Sequence, residues 1–407
     1  MSDSEFSPTT QGELARYLRD NADGPKHPII PAGGRTALQT PRAADVSAVV
    51  VGMRRLTQVL DYPARDMTVT VEAGIKVDDL AALLRQERQQ LPIDIPQSSR
   101  ATLGGAIACN VSGSRRYGYG TFRDYLIGVS AVDGTGRPFS AGGRVVKNVA
   151  GYDLCKLLIG SLGTLGIISQ VTLKLKPIPE TSGLLWATYD TFAEIDDVLA
   201  RLLKSDARPV QLDVLSPSAA AQIASECRRP LPTDRPALLV GVEGSEKDVA
   251  WQLGALTREL APLGPDDLFA LNDAEAGPIR TALTEFSTES DAPLSFKVSL
   301  PPSAVADFAA MAVQAGVSVL AHAGNGILHG HFPDEAGTFE RTVKILTPMK
   351  EWLRTHRGHL TFSRLPAEWT EGLSSPATGP EWELMARLRA AFDPHQLLNP
   401  GLTLHGA

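Results

Sequence analysis

The segment from Pro96 to Pro177 constrains this chain more than any other, because it sets clusters of glycine between stretches with strand character. Thr102-Leu103-Gly104-Gly105 opens it, followed by Asn110, Ser112, Gly113 and Ser114. Gly160-Ser161-Leu162-Gly163-Thr164-Leu165-Gly166 then spaces glycines every third residue, ahead of an apolar strand beginning Ile167-Ile168. Two glycines in the helix-compatible run Leu103–Cys109 cost about 1 kcal/mol each relative to alanine. A chain bears that cost where something bulky lies against its backbone. An earlier cluster, Ala32-Gly33-Gly34-Arg35-Thr36, follows the short apolar stretch Pro28–Pro31. On its own it is as well explained as an ordinary turn. It is not a Walker loop, since no Gly-Lys-Ser/Thr follows, and no Gly-x-Gly-x-x-Gly opens a helix in the dinucleotide-binding manner. Three glycine clusters beside strands in one region nevertheless point to a pyrophosphate-bearing ligand held by backbone N–H groups.

Composition narrows the remaining choices. At 407 residues the chain is long enough for about two or three domains. With 39 Lys+Arg against 46 Asp+Glu, its net charge of −7 lacks the basic excess expected of a nucleic-acid partner. Cys109, Cys155 and Cys227 have no metal-ligand spacing and are too few for a disulfide framework, which suits a reducing compartment. There is no signal-peptide pattern and no apolar run of the ~20 residues a membrane span requires.

Periodicity divides the chain. Up to Lys176-Pro177-Ile178-Pro179 we expect helices at Gln11–Asn21 and Val77–Gln89 and strands at Val46–Val51, Met67–Ala73 and Ile167–Leu175. After that break, strands at 183–189, 210–215, 237–243, 294–300, 317–321 and 327–332 alternate with helices at 192–203, 247–260 and 303–314. That order suggests an α+β sandwich of ferredoxin-like type. Further helices are expected at Thr338–Thr355 and Glu381–Phe392. The expected division is 1–179, 180–345 and a C-terminal part, 346–407, returning to the first domain.

His322 and His329 flank the glycine-rich turn Ala323-Gly324-Asn325-Gly326, which could bring both imidazoles to one point as metal ligands. The alternative is a hydrogen-bonded core pair or two surface residues. Arg364 is a candidate for bidentate binding of a substrate carboxylate, and His359 lies near it; both are also ordinary as polar surface residues.

The residues also support a family resemblance. Thr102–Ala108, Tyr119-Gly120-Thr121-Phe122-Arg123-Asp124, Val145–Leu157, Phe392-Asp393-Pro394 and Asn399-Pro400-Gly401 resemble the flavoproteins with a PCMH-type FAD-binding fold, the vanillyl-alcohol oxidase superfamily. Within it, the chain is most similar to the FAD-binding E subunits of bacterial glycolate oxidases. The resemblance implies an α+β fold of two FAD-binding subdomains with a ferredoxin-like cap. It implies non-covalent FAD, with Ala32, Gly33, Gly34, Arg35 and Thr36 around the pyrophosphate. Pro96, Thr102, Leu103, Gly104, Gly105, Asn110, Ser112, Gly113 and Asn399 would belong to the cofactor site, those from Thr102 to Gly113 on the flavin and ribityl side. Gly163, Gly166, Ile167 and Ile168 would lie at the adenine end.

The implied activity is oxidation of a small 2-hydroxy acid, glycolate to glyoxylate, with electrons leaving through flavin to an iron–sulfur subunit. A second, catalytic flavin subunit would complete the complex. The setting would be cytoplasmic, peripheral to the inner membrane through these partners. A self-sufficient FAD-dependent D-2-hydroxyacid dehydrogenase and a FAD-loaded, chemically idle assembly subunit are the other readings. Catalytic relatives add a metal-binding glutamate and a base histidine in a Ser-Ala-Glu-His-Gly stretch. Here the corresponding Gly358–Pro366 reads Gly-His-Leu-Thr-Phe-Ser-Arg-Leu-Pro, without that step.

Overall fold

The computed structural model describes residues 5–37, 48–143, 153–288, 292, 294–332, 338–373 and 380–401. Two compact units emerge: 1–111 with 121–178 and 376–405, and 112–120 with 179–375. The Val145–Leu157 motif therefore falls outside the described residues up to Tyr152, as does the start of the strand expected at Val46.

The first unit opens with β1 (Glu5–Phe6) and the helix Gln11–Asp23, capped by the Thr10 hydroxyl accepting from the Glu13 amide at 3.1 Å. Leu14 and Leu18, four apart, face one core with Ile29, Val51, Leu56, Val132, Ile167 and Leu398. β2 (Ile29–Ala32) and β3 (Val49–Gly52) pair in parallel, with β1 on the other edge of β3. β4 (Val59–Asp61) and β5 (Thr68–Glu72) follow, then the amphipathic helix Val77–Gln86, which buries Leu80 and Leu84. β6 (Gln89–Gln90), β7 (Leu126–Val132), β8 (Pro138–Gly142), β9 (Ile167–Lys174) and β10 (Lys176–Pro177) complete the unit. The antiparallel order β4-β5-β9-β7-β8 makes a five-stranded sheet.

The second unit runs β11 (Thr181–Thr188), β12 (Gln211–Leu215), β13 (Ala237–Gly244), β14 (Asp267–Asn272), β15 (Ser295–Ser299), β16 (Ser318–His322), β17 (Ile327–His331) and β18 (His359–Arg364). They form one eight-stranded sheet ordered β14-β11-β13-β12-β16-β17-β15-β18. Helices Phe192–Leu202 and Glu246–Leu260 turn the first four strands into a βαββαβ module. Helices Val305–Gln314 and Phe339–Thr355 do the same for the last four. Each module has the strand order 4-1-3-2 of a ferredoxin-like unit, and the two join edge to edge at β12 and β16. The unit is thus built from two modules of the same topology, although the sequence shows no repeat. The four helices cover one face of the sheet, over a core that includes Leu212, Val214, Phe296, Val298, Ala321, Leu328 and Leu360. Helices Pro217–Glu226 and Asp273–Glu285, together with β14 and β18, were not expected from periodicity. They are short or interrupted, and Pro278 lies inside the second helix.

The C-terminal expectation needs correction. Only 376–405 returns to the first unit, whereas 346–375 stays in the second. Leu346, Met349 and Leu353 of the helix Phe339–Thr355 bury in the sheet core, and β18 pairs along β15. The module would lack its fourth strand without them.

A glycine cradle and a buried histidine cluster

In the first unit the glycine loops converge. β2 ends at Ala32, and the following turn lies against the Arg100–Thr102 backbone so closely that no side chain fits. A Cβ on Gly33 would lie 1.9 Å from the Thr102 hydroxyl, and one on Gly34 would lie 2.0 Å from the Arg100 carbonyl oxygen. Arg35 continues the turn in the left-handed region, φ +56°. The Leu103–Cys109 helix starts at Thr102 and ends on left-handed Asn110. Gly160 and Leu162 donate backbone bonds to Ile107 (3.1 Å) and Ala108 (2.8 Å), which docks the third loop on this helix. Gly163, φ +71°, leaves room for Asn399, whose amide donates to the Leu162 carbonyl at 2.6 Å. The Asn399 backbone in turn donates to Ile29 at 2.8 Å.

Four separated stretches therefore meet, and they leave buried acceptors without partners: Asn110 Oδ1, Ser161 Oγ and Asn399 Oδ1. Orphaned polar groups beside crowded glycines fit a polar, elongated ligand laid along backbone. The residues fit FAD. Not every glycine serves that purpose. Gly104 makes way for Ala73, whose Cβ would be 2.7 Å from its own, so its role is helix packing. Pro96 is buried in the turn before Arg100, and Leu103 is fully buried. Ile167 and Ile168 sit opposite Val132 and Ala131 on β7, where the register shifts between Ser130 and Ala131. Ser112 and Gly113 belong to the second unit, where Ser112 accepts from Arg116 at 2.9 Å.

In the second unit, strand alternation sends the histidines to the face opposite the main core. β17 reads Ile-Leu-His-Gly-His, so Leu328 buries on one side while Ile327, His329 and His331 share the other. Registers across the sheet extend that face in three rows. One is Asp213–His322–Ile327–Ser299–His359, the next Leu215–Leu320–His329–Lys297–Thr361, the third Ser318–His331–Ser295–Arg364. The seam between the two modules thus pairs Asp213 directly with His322.

Asp213 is fully buried, and its Oδ1 meets His322 Nδ1 at 2.7 Å while Gln211 donates to Oδ2 at 2.7 Å. Because a carboxylate only accepts, His322 carries a proton on Nδ1, and Nε2 is the ring nitrogen that Asp213 leaves unengaged. The His322 and His329 rings stand edge to face with centroids 5.6 Å apart. Burial holds His329 well below the usual histidine range, helped by the neighbouring His322, Lys297, His331 and Arg116. Burial, and then Arg116, also lowers Lys297. Arg116 comes from the short helix Arg116–Tyr119 of the 112–120 segment. That segment is tied down by Gly118 donating to Val210 (3.0 Å), Arg115 pairing with Glu243 (3.3 Å) and Tyr119 donating to Glu243 (2.7 Å).

Arg364 is set apart from the pair. It donates to the Ala292 carbonyl at 3.2 Å, and its charge acts on His331, which donates from Nε2 to the Phe286 carbonyl at 2.7 Å. His359 is exposed at the start of β18.

The structure brings His322 and His329 together, yet among the described residues no third His, Cys, Asp or Glu joins them around a metal position. Both oxygens of Asp213 are engaged. The donor set does not fit a resident divalent ion. Asp213 and Lys297 were missed in the sequence. The available signal was a lone charge flanked by apolar residues in each of two strands, Leu-Asp-Val and Phe-Lys-Val.

The turn between the histidines depends on Gly326, φ +66°, where a Cβ would stand 1.8 Å from the Leu300 carbonyl oxygen. Gly326→Ala should cost about 3 kcal/mol through the combined backbone strain and overpacking. A urea melt checks this. A midpoint that barely moves would show that the turn relaxes without cost.

The chain matches a FAD binding domain model over residues 4–142 and a model described as FAD linked oxidases, C-terminal domain, over residues 178–402. It is 27% identical to glycolate oxidase subunit GlcD of Bacillus subtilis, covering 98% of this chain and 88% of that protein. It is 28% identical to a D-2-hydroxyglutarate dehydrogenase of Xanthomonas citri, over 92% of this chain and 83% of the other. Glycolate oxidase subunit GlcE of Escherichia coli is 36% identical over a shorter stretch, 30% of this chain and 36% of that one. Among solved structures, p-cresol methylhydroxylase superposes with a TM-score of 0.74 at 16% identity, covering 98% of this chain and 88% of the other. The fold is that PCMH-type flavoprotein fold, no helix among the described residues is long and apolar enough to cross a membrane, and the cofactor is FAD. With the second model spanning more than half of its length, the chain belongs to the FAD linked oxidases.

Proposed function

We propose that the chain is the FAD-binding subunit of a glycolate oxidase complex, oxidising glycolate to glyoxylate and passing electrons to an iron–sulfur partner. Its similarity to glycolate oxidase subunits, a D-2-hydroxyglutarate dehydrogenase and a D-lactate dehydrogenase supports a 2-hydroxy acid as substrate. The observation that carries the reading is the Asp213–His322 pair. Bound FAD supplies the acceptor for the hydride that leaves C2 of the acid. The hydroxyl proton goes to His322 Nε2, and the Asp213 carboxylate stabilises the imidazolium so formed. His329, held neutral, adds no competing positive charge beside it. His322 and Gln211 both donate to the buried Asp213 carboxyl group, which satisfies both of its oxygens.

Anaerobic addition of glycolate to the purified flavoprotein, with and without co-purifying subunits, tests the proposal. Loss of the flavin's visible absorption only when partners are present is the expected result. Loss in the isolated chain would favour a self-sufficient dehydrogenase. An unchanged spectrum in both settings would sink the catalytic reading and leave an assembly role.

A further inference from the structure

Two cations face His329 on the polar side of the second unit's sheet, and neither has a carboxylate partner among the described residues. Lys297 is the direct cross-strand neighbour of His329 and also pairs across to Thr361. Directly opposed residues place their Cβ atoms about 5 Å apart, so the Lys297 stem runs alongside the imidazole. Arg116, on the 112–120 segment, lies near enough to act electrostatically on both His329 and Lys297. One terminal nitrogen donates to Ser112 at 2.9 Å, and its buried Nε has no partner. Lys297 and Arg116 act electrostatically on each other and both act on His329. Like charges drawn together and partly desolvated are costly unless an anion joins them. The carboxylate nearest by register, Asp213, is already consumed by His322 and Gln211.

A divalent metal would fare badly here. It would meet two positive charges and only two imidazoles, with no third ligand among the described residues. An anion would meet two donors of opposite charge, a neutral ring and the Thr361 strand. We propose that Arg116 and Lys297 form an anion-binding pair that takes the carboxylate of the 2-hydroxy acid beside His329, supplying the positive charge that a divalent metal ion would otherwise bring. This rests on the 2-hydroxy acid reading above. It adds a residue assignment and a site chemistry without metal. Arg116 binds from a planar fork and Lys297 as a point charge, so a small carboxylate fits the site.

Calorimetric titration of the holoprotein with oxalate and with glycolate, in a buffer free of other small carboxylates, tests the assignment. Binding of both should weaken at least tenfold in Lys297→Met and in Arg116→Gln, and survive in Lys297→Arg. Flavin content and thermal melting of each variant show whether it has folded; if Lys297→Met fails that check, Arg116→Gln carries the test. Incubation with manganese followed by gel filtration should leave the chain without stoichiometric metal. Oxalate binding indifferent to both substitutions would overturn the proposal. So would one tightly held manganese per chain that is lost in His329→Ala. The two readings fail separately. Lys297-dependent oxalate binding with no flavin bleaching by glycolate keeps the anion site and removes the proposed reaction. Bleaching with unaltered oxalate affinity in the variants does the reverse.

Discussion

Gly34→Ala is expected to purify as a colourless protein whose second unit is intact. The new methyl group would stand 2.0 Å from the Arg100 carbonyl oxygen and 2.9 Å from the Ala101 Cα, both backbone atoms with no rotamer to yield. The two loops have to separate, and the cradle opens at the point where the first and second glycine clusters meet. Overpacking of this kind costs about 1–3 kcal/mol. Taken wholly from ligand affinity, that is roughly a 5- to 140-fold loss of FAD binding, by the rule of about 1.4 kcal/mol per tenfold. The ratio of visible to ultraviolet absorbance after gel filtration measures it. Gly277→Ala is the control, since its Cβ would meet nothing within 4 Å. Full flavin content in Gly34→Ala would show that the loop does not hold the cofactor.

Asp213→Asn should leave a folded, yellow protein that its substrate barely reduces. The amide oxygen still accepts from His322 Nδ1, so the ring keeps its place, but the charge that stabilises the imidazolium is gone. General acid–base catalysis contributes about 10^2- to 10^4-fold, so a loss of reduction rate within that range is expected. Stopped-flow reduction of the flavin reads the loss directly. Asp213→Ala goes further and leaves His322 and Gln211 without an acceptor in a buried site, which should destabilise the protein by about 3 kcal/mol in a urea melt. Wild-type reduction rates in Asp213→Asn would remove His322 as the proton acceptor.

Much of this was legible in the residues. The alternation after Pro179 gave strands and helices close to those observed, and the glycine clusters marked where loops crowd together. Their meanings differed one by one. Gly33 and Gly34 serve a loop-to-loop contact, whereas Gly104 serves helix packing on Ala73, and spacing alone does not separate these roles. The pairing of the two modules was invisible because each half uses different residues for the same βαββαβ order. Edge pairing between β12 and β16 leaves no periodic trace. The same limit hid the Asp213–His322 bond, which spans 109 residues of sequence and exists only because that seam fixes the register. Arg364, in sequence a candidate carboxylate anchor or an ordinary polar residue, is placed a row away by the register, beside His331. Lys297 occupies the position that periodicity assigns to an outward polar residue, and only the facing strands reveal what it meets.

The first unit is built from distant parts of the chain. Ile29 is bonded on both sides by Leu397 and Asn399, and Asn399 holds the Leu162 loop. A ribosome making roughly 5–20 residues per second needs about 10–40 s to pass from residue 178 to residue 376. For that interval the nascent protein has every glycine loop but not the asparagine that locks one of them, while the intervening sheet is free to form. Cofactor capture is therefore expected to be completed only after Asn399 has been synthesised. A cell short of riboflavin would accumulate a chain whose interior is finished before its N-terminal half is sealed, and that half is where quality-control proteases would first find purchase.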